Sequence, residues 1–298
     1  MYKKARAKIN LTLNILDKRP DGYHNLESVF QIISLYDELF VEKTDNNTLE
    51  INCNFDDLQG EDNIIFKAYS LLKEKHENIF GIKVTLKKNI PVGRGLAGGS
   101  SNCASFLVCM NKLFDLNYSK EELINIGKTL GADVPPCMYT GAIFAKGIGE
   151  IITKVDTDLK YYIVIATPDF SLSTKLMFEK LDEIHSRYIY DSQNAIGALK
   201  DNNLGMLCDN LYNDFEKVLE KDSEILVIKK LMIENGALAS LLCGSGSSVF
   251  GIFDDKEKSK LAYEEIKKSY TSFWCFSTRR KKHDKWKTSD RHIINCWK

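Results

Sequence analysis

Residues 91–101 read Pro-Val-Gly-Arg-Gly-Leu-Ala-Gly-Gly-Ser-Ser, with glycines at 93, 95, 98 and 99 ahead of Ser100 and Ser101. With no side chains over them, successive backbone N–H groups can converge on an anion, so the stretch can cradle phosphate. Ala104, Leu107, Val108 and Phe114 follow at helical spacing, which predicts a helix opening from the loop, its N-terminal dipole adding to the same attraction. Two ionisable residues stand out elsewhere. Lys8 lies in an alternating segment, and Asp133 sits in Gly131-Ala132-Asp133-Val134-Pro135-Pro136, where two prolines stiffen the backbone just after the carboxylate. Taken alone, capping of that turn explains Asp133 as well as chemistry does. A second glycine-rich turn, Cys243-Gly244-Ser245-Gly246-Ser247-Ser248, is a weak signal by itself.

Several phosphate motifs compete for the first loop. Gly93-x-Gly95-x-x-Gly98 matches the dinucleotide fingerprint, and Gly93-x4-Gly98-Gly99-Ser100 nearly matches the Walker A loop. The Walker loop needs a Lys before its Ser to reach the terminal phosphates, and Gly99 stands there. The dinucleotide reading needs a second strand before its acid, but 102–114 reads as helix and another helix start follows. A protein-kinase glycine loop would need Val-Ala-Ile-Lys and His-Arg-Asp segments, which do not occur. A glycine-rich surface turn is the plain alternative.

The elements that must position these residues can be read from periodicity. Ile9, Leu11, Leu13 and Ile15 alternate with Lys8, Asn10, Thr12 and Asn14, a half-buried strand whose polar face, on the strand alone, is expected to be solvated. Arg19-Pro20-Asp21-Gly22 is a turn by its chemistry, and Ser28 to Leu35 returns as a strand, giving a hairpin with Tyr23 and His24 just beyond the turn. Asp62 is the expected N-cap of a helix carrying Ile64, Ile65, Ala68, Leu71 and Leu72. Ile82, Val84 and Leu86 form a strand into the glycine loop, and Ser119-x-x-Glu122 caps a helix to about Leu130. Further strands are expected at 142–145, 161–166, 249–253 and 273–276. Helices are expected at 174–184, 192–200, around 209–220, 223–235 and 256–269. This mixture argues for α+β rather than a doubly wound α/β fold.

Lys plus Arg and Asp plus Glu are each 41 in the 298 residues, but 279–298 carry eight basic and two acidic residues, leaving a net-acidic body. That balance argues against a nucleic-acid-binding main domain. The eight cysteines form no Cys-x-x-Cys pair and read as reduced, buried thiols, and no apolar run approaches a membrane span. A cytoplasmic location is expected. Zinc is not, because the five histidines share no ligand spacing with the cysteines.

Together these pieces resemble the family of small-molecule kinases that includes galactokinase, homoserine kinase, mevalonate kinase and phosphomevalonate kinase. The likeness is carried by the N-terminal Lys strand, by Pro91–Ser101 as Pro-x-x-x-Gly-Leu-x-Gly-Gly-Ser-Ser, and by Gly244–Ser248 as Gly-Ser-Gly-Ser-Ser. Ala7-Lys8-Ile9-Asn10-Leu11, Arg19-Pro20-Asp21-Gly22-Tyr23-His24 and Leu130-Gly131-Ala132-Asp133-Val134-Pro135 narrow it to the branch acting on a cytidine diphosphate sugar alcohol, over roughly residues 5–276.

The resemblance implies an α+β fold of two domains with the site in the cleft between them. These are an N-terminal ribosomal-protein-S5-like domain (1–153) and a C-terminal ferredoxin-like domain (154–278); residues 279–298 match nothing in the family, and their charge and composition read as a disordered basic tail, with an acquired anion-binding arm the alternative. The resemblance implies transfer of phosphate from ATP, with Mg²⁺, to the 2-hydroxyl of the sugar alcohol. By position, Lys8 and Asp133 would be the catalytic pair. Asn63, Lys88, Pro91, Val92, Gly93, Arg94, Gly95, Leu96, Ala97, Gly98, Gly99, Ser100 and Ser101 would hold ATP. Asn10, Tyr23, His24, Thr174 and Phe178 would line the substrate site, with the cytosine between Tyr23 and Phe178 and His24 reading its edge. Gly244, Ser245, Gly246 and Ser247 form the late turn, which Cys243 enters where Ser or Thr is common; Arg94 and Ala97 stand where some relatives have Gly. The metal ligands are not implied. The expected partners are small molecules, with neither membrane nor nucleic acid, and the chain a monomer or homodimer. A homoserine or mevalonate kinase is the nearest alternative, against which Tyr23-His24 argues. A non-catalytic nucleotide- or RNA-binding protein is disfavoured by Lys8 and Asp133 together, and a dinucleotide oxidoreductase by its missing strand.

Overall fold

The computed structural model describes residues 1–184 and 190–279, so all of the basic tail beyond Arg279 lies outside the described residues. Strands β1 (Tyr2–Lys18) and β2 (His24–Thr44) form a long hairpin. Its turn closes with Gly22 N–H donating to Arg19 O at 3.0 Å, Gly22 taking the φ of +86° that a side chain would resist. The register sets Asn10 opposite Phe30 and Lys18 opposite His24. β3 (Leu49–Cys53) pairs in parallel with β4 (Gly81–Lys87), α1 (Ile64–Lys75) crossing between them. β4 lies against the C-terminal half of β2. After α2 (Gly98–Leu113) and α3 (Lys120–Leu130), β5 (Ala142–Gly147) covers the N-terminal half and turns into β6 (Ile151–Val155). Leu39, Val41 and Val84 of this sheet pack with Ile65 and Leu72 of α1 and Phe106 and Leu107 of α2.

The second half runs β7 (Tyr162–Thr167), α4 (Thr174–Asp182), α5 (Ser192–Lys200), α6 (Leu204–Asp209), β8 (Tyr212–Asn213) and α7 (Glu224–Glu234). It ends in β9 (Ala239–Leu242), β10 (Val249–Phe253), α8 (Lys256–Ile266) and β11 (Thr271–Phe276). Its sheet has the order β11-β7-β10-β9 and is antiparallel throughout, the split β-α-β-β-α-β arrangement. The short β8 joins the first sheet instead, in parallel with β1. The fold is α+β, as expected.

The local differences from expectation have physical causes. Asn63 rather than Asp62 caps α1, its Oδ1 accepting from Ile65 N at 3.0 Å. The helix expected around 209–220 is broken into α6, β8 and a 3₁₀ turn at Asp214–Val218. Asn203 Oδ1 accepts from Met206 N and Asn213 Oδ1 from Phe215 N, each starting a new short element in competition with one continuous helix. β3 and β6, neither anticipated, extend the first sheet at its margins. The polar face of β1 is not solvated: Lys8, Asn10, Thr12 and Asn14 are all buried. A register shift between Asn10 and Thr12 divides them: Lys8 and Asn10 line the cleft with Leu13 and Ile15, while Thr12 Oγ1 and Asn14 Nδ2 meet Ser192 Oγ of α5 at 3.0 and 2.9 Å, so burial leaves these groups hydrogen-bonded.

Candidate active site

The glycine loop leaves Ile90 and runs directly into α2, with Ala97 at a left-handed φ of 55° as the residue before the helix. Helix and loop are locked by Ser101 N–H donating to Ala97 O at 2.9 Å. The loop presses on the late turn: a Cβ at Gly95, whose φ is +79°, would stand 1.9 Å from Cys243 O. Only glycine permits that approach. Arg94 spans the same junction, Nη1 donating to Ser247 Oγ at 3.2 Å and Nη2 to Asp169 O at 3.0 Å. Its guanidinium thus fastens the loop to the second half of the chain.

Lys8 Nζ lies 3.8 Å from Asp133 Oδ2. The Lys8 side chain is 5% exposed and that of Asp133 44%, so the ammonium is set from inside while the carboxylate faces the opening. Asn10 Oδ1 accepts from Lys8 Nζ at 2.9 Å, and Asn10 Nδ2 donates to Ser28 Oγ at 2.8 Å. The Phe30 ring lies beneath the ammonium, 4.9 Å from its centroid. Asn10 therefore orients Lys8, a link that the alternation of β1 permits because residues two apart share a face.

Farther along the same cleft, the His24 ring stacks on Phe178, centroids 4.7 Å apart and planes 14° from parallel. His24 Nε2 is 2.7 Å from Asp182 Oδ1, and Lys18 Nζ donates to Asp182 Oδ2 at 2.7 Å. Desolvation would raise the Asp182 pKa, but hydrogen bonds from Lys18 and His24 outweigh it and hold the carboxyl below its ordinary range. Tyr23 stands exposed at the rim, and Thr174, first residue of α4, shares a 2.8 Å hydrogen bond with Ser245 of the late turn.

All of this opens on one cavity of about 1300 Å³, lined by Lys8, Asn10, Tyr23, His24, Asp133, Phe178 and residues 91–100 among others. Asn63, Lys88, Thr174, Gly244, Ser245 and Gly246 line it too. Ser101 and Ser247 stand behind its wall, both buried. No cluster of three metal-ligating side chains occurs among the described residues, and no helix among them is long and apolar enough to cross a membrane.

Residues 63–141 match the GHMP kinases N terminal domain, and residues 195–272 the GHMP kinases C terminal domain. The 4-diphosphocytidyl-2-C-methyl-D-erythritol kinase of Thermoanaerobacter pseudethanolicus is 41% identical over 279 residues, 92% of this chain and 94% of that protein. The chain belongs to the 4-diphosphocytidyl-2-C-methyl-D-erythritol kinase family. The enzyme of that name from Clostridium tetani is 39% identical, covering 92% of this chain and 99% of its own length. A crystal structure of 4-(cytidine 5'-diphospho)-2C-methyl-D-erythritol kinase superposes with a TM-score of 0.80 at 26% identity, over 93% of this chain and 99% of that one. Homoserine kinase from Cytophaga hutchinsonii, at 18% identity and a TM-score of 0.71 over 94% of each chain, shares the fold.

As a small-molecule kinase of this family, the chain keeps a further polar cluster beneath the loop that motif reading did not find. Asp37, fully buried in β2, is ion-paired with Lys88 and accepts from Asn89 N at 2.7 Å, Ile90 N at 2.8 Å and Asn102 Nδ2 at 2.9 Å. Lys88 Nζ also donates to Asn102 Oδ1 at 2.9 Å. One carboxylate thus ties the strand end, the start of the loop and the first turns of α2. The Lys88 ammonium is committed to it. Asn63 is similarly engaged, capping α1 while Nδ2 donates to Leu58 O at 2.8 Å. The signal for Asp37 was in the sequence: it shares the phase of Leu39 and Val41, so an acid falls on the apolar face of a strand.

Proposed function

We propose that this kinase transfers the γ-phosphoryl group of ATP to the 2-hydroxyl of 4-diphosphocytidyl-2-C-methyl-D-erythritol, a step of the non-mevalonate isoprenoid route. The observation that carries the reading is that one cleft holds the Lys8–Asp133 pair between a phosphate-type loop and an aromatic stack with a hydrogen-bonding histidine. The loop N–H groups of 93–99 and the N-terminus of α2 bind the triphosphate. Asp133 receives the proton of the attacking hydroxyl as its oxygen bonds to phosphorus and the bridge to ADP breaks. Lys8, oriented by Asn10, meets the charge on the equatorial oxygens, so catalysis is positioning and electrostatics.

Mg²⁺ typically takes one or two protein oxygens and several from phosphates and water, and the Ser100 hydroxyl and Asp133 carboxylate, both lining the cleft, fit that donor set. There the ion would neutralise phosphate charge. Tyr23, His24, Phe178 and Thr174 bind the cytidine end. The division into an S5-like and a ferredoxin-like unit is supported by the two sheets; the expected boundary between 153 and 154 falls inside β6, so we place it after that strand, at Val155.

A coupled assay of ADP release tests the reading. Turnover is expected with the cytidine diphosphate substrate and ATP–Mg²⁺, and not with homoserine or mevalonate. Turnover of either of those in preference would overturn it.

A further inference from the structure

Asp182 has no part in phosphoryl transfer and no motif marks it, yet it grips the one histidine of the cleft. An ionised carboxylate only accepts hydrogen bonds, so at 2.7 Å from Oδ1 the Nε2 of His24 must carry its proton. The lone pair of the neutral imidazole is then on Nδ1. Among the described residues Nδ1 has no partner, and Ser272 Oγ is the sole buried side-chain nitrogen or oxygen among them left without one. Nδ1 therefore reaches open space, and the space His24 lines is the substrate cleft.

The stack adds direction. A base hydrogen-bonded in the plane of the imidazole lies nearly parallel to the Phe178 ring, because the two rings are 14° from parallel. Cytosine offers an N4 amino donor at its Watson–Crick edge where uracil offers the O4 acceptor. A lone pair on Nδ1 attracts the first and repels the second.

We propose that Asp182 is a positioning residue that sets the tautomer of His24 and thereby selects cytosine over uracil in the nucleotide substrate. Lys18, donating to Oδ2, completes the device by fixing the carboxylate. The inference rests on the function proposed above and deepens it by assigning the base discrimination to one carboxylate.

Asp182→Asn tests it with almost no change of shape. Lys18 can only donate, so it claims the amide oxygen. The NH₂ group then faces Nε2, which must become the acceptor, and the proton moves to Nδ1. The ratio of kcat/KM for the cytidine substrate over its uridine analogue is expected to fall at least about tenfold, carried by KM with kcat nearly unchanged. Asp182→Ala, which leaves both tautomers available, should fall between that variant and the parent.

¹⁵N spectra of histidine-labelled full-length chain, with His24 assigned by its absence in His24→Gln, give a reading independent of activity. His24 Nδ1 should be pyridine-like in the parent and pyrrole-like in Asp182→Asn. An unchanged cytidine-to-uridine ratio in Asp182→Asn, or a protonated Nδ1 in the parent at neutral pH, overturns the proposal. Failure of the parent to use the cytidine substrate would overturn the functional reading instead, and the spectra of the ligand-free chain would still decide the tautomer.

Discussion

Two glycines of the phosphate loop, four residues apart, are predicted to fail in opposite ways when replaced by alanine. At Gly95 the new Cβ would lie 1.9 Å from Cys243 O and 2.9 Å from its carbonyl carbon, and the backbone holds φ at +79°. Both obstructing atoms are main chain, so no side chain can swing clear, and the two turns must part by about 1 Å to restore a contact near 3 Å. The left-handed conformation adds roughly 1–2 kcal/mol for a residue with a Cβ. At Gly99 nothing lies within 4 Å of the added atom. That position is in the first turn of α2, where Ala in place of Gly is worth up to about 1 kcal/mol to the helix, so only a bound phosphate feels the methyl group. Urea denaturation and steady-state ADP release separate the two. Gly95→Ala should lose stability and, because an ångström of displacement at reacting groups costs about 100-fold, most of its kcat. Gly99→Ala should keep or gain stability while its KM for ATP rises about tenfold, since the backbone can no longer approach the phosphates. Equal destabilisation of both variants, or ordinary ATP affinity in Gly99→Ala, would refute the division of the loop into a face against protein and a face against ligand.

Asp133→Asn should lower kcat far more than it weakens ATP binding, read by turnover against nucleotide titration; near-normal turnover would sink the role of that carboxylate. Asp37→Ala leaves the Lys88 ammonium buried without its counter-charge, so a loss of about 3–5 kcal/mol in urea denaturation is expected, well beyond the effect of an exposed substitution. Burial pushes the thiols of Cys103 and Cys109 up to about 12 and about 11. The reactive thiolate is therefore scarce below those values, and mass spectrometry after iodoacetamide at pH 8 should find both unmodified until denaturant is added.

What was legible in the sequence and what was not divide along the range of the interactions. The glycine loop, the Ser119–Glu122 capping box and the Arg19–Gly22 turn are set by residues within a few positions of each other, and the structure has each where the spacing predicts. Asp37 and Asp182 were invisible to motif reading because their partners lie far away: Lys88 and Asn102 for one, Lys18 and His24 for the other. Neither has a spacing signature. Only its phase among apolar residues betrays Asp37, and Asp182 lacks even that.

β1 shows why the bland expectation for an amphipathic strand failed at the residues that matter most. Alternation says that two faces differ in polarity, but not that the polar one meets water. In an isolated sheet with one covered face, Lys8 would be solvated. Here a register shift between Asn10 and Thr12 divides the polar residues: Thr12 and Asn14 meet Ser192 of α5, while Lys8 and Asn10 line the cleft beside Asp133, so all four are enclosed with partners. Burying a lysine and two asparagines on one strand is costly unless every group is satisfied. A sequence that keeps them there needs a reason for it, and at the cleft the reason is visible: the buried Asn10 holds Lys8 toward Asp133, where a solvated lysine would be free to turn away.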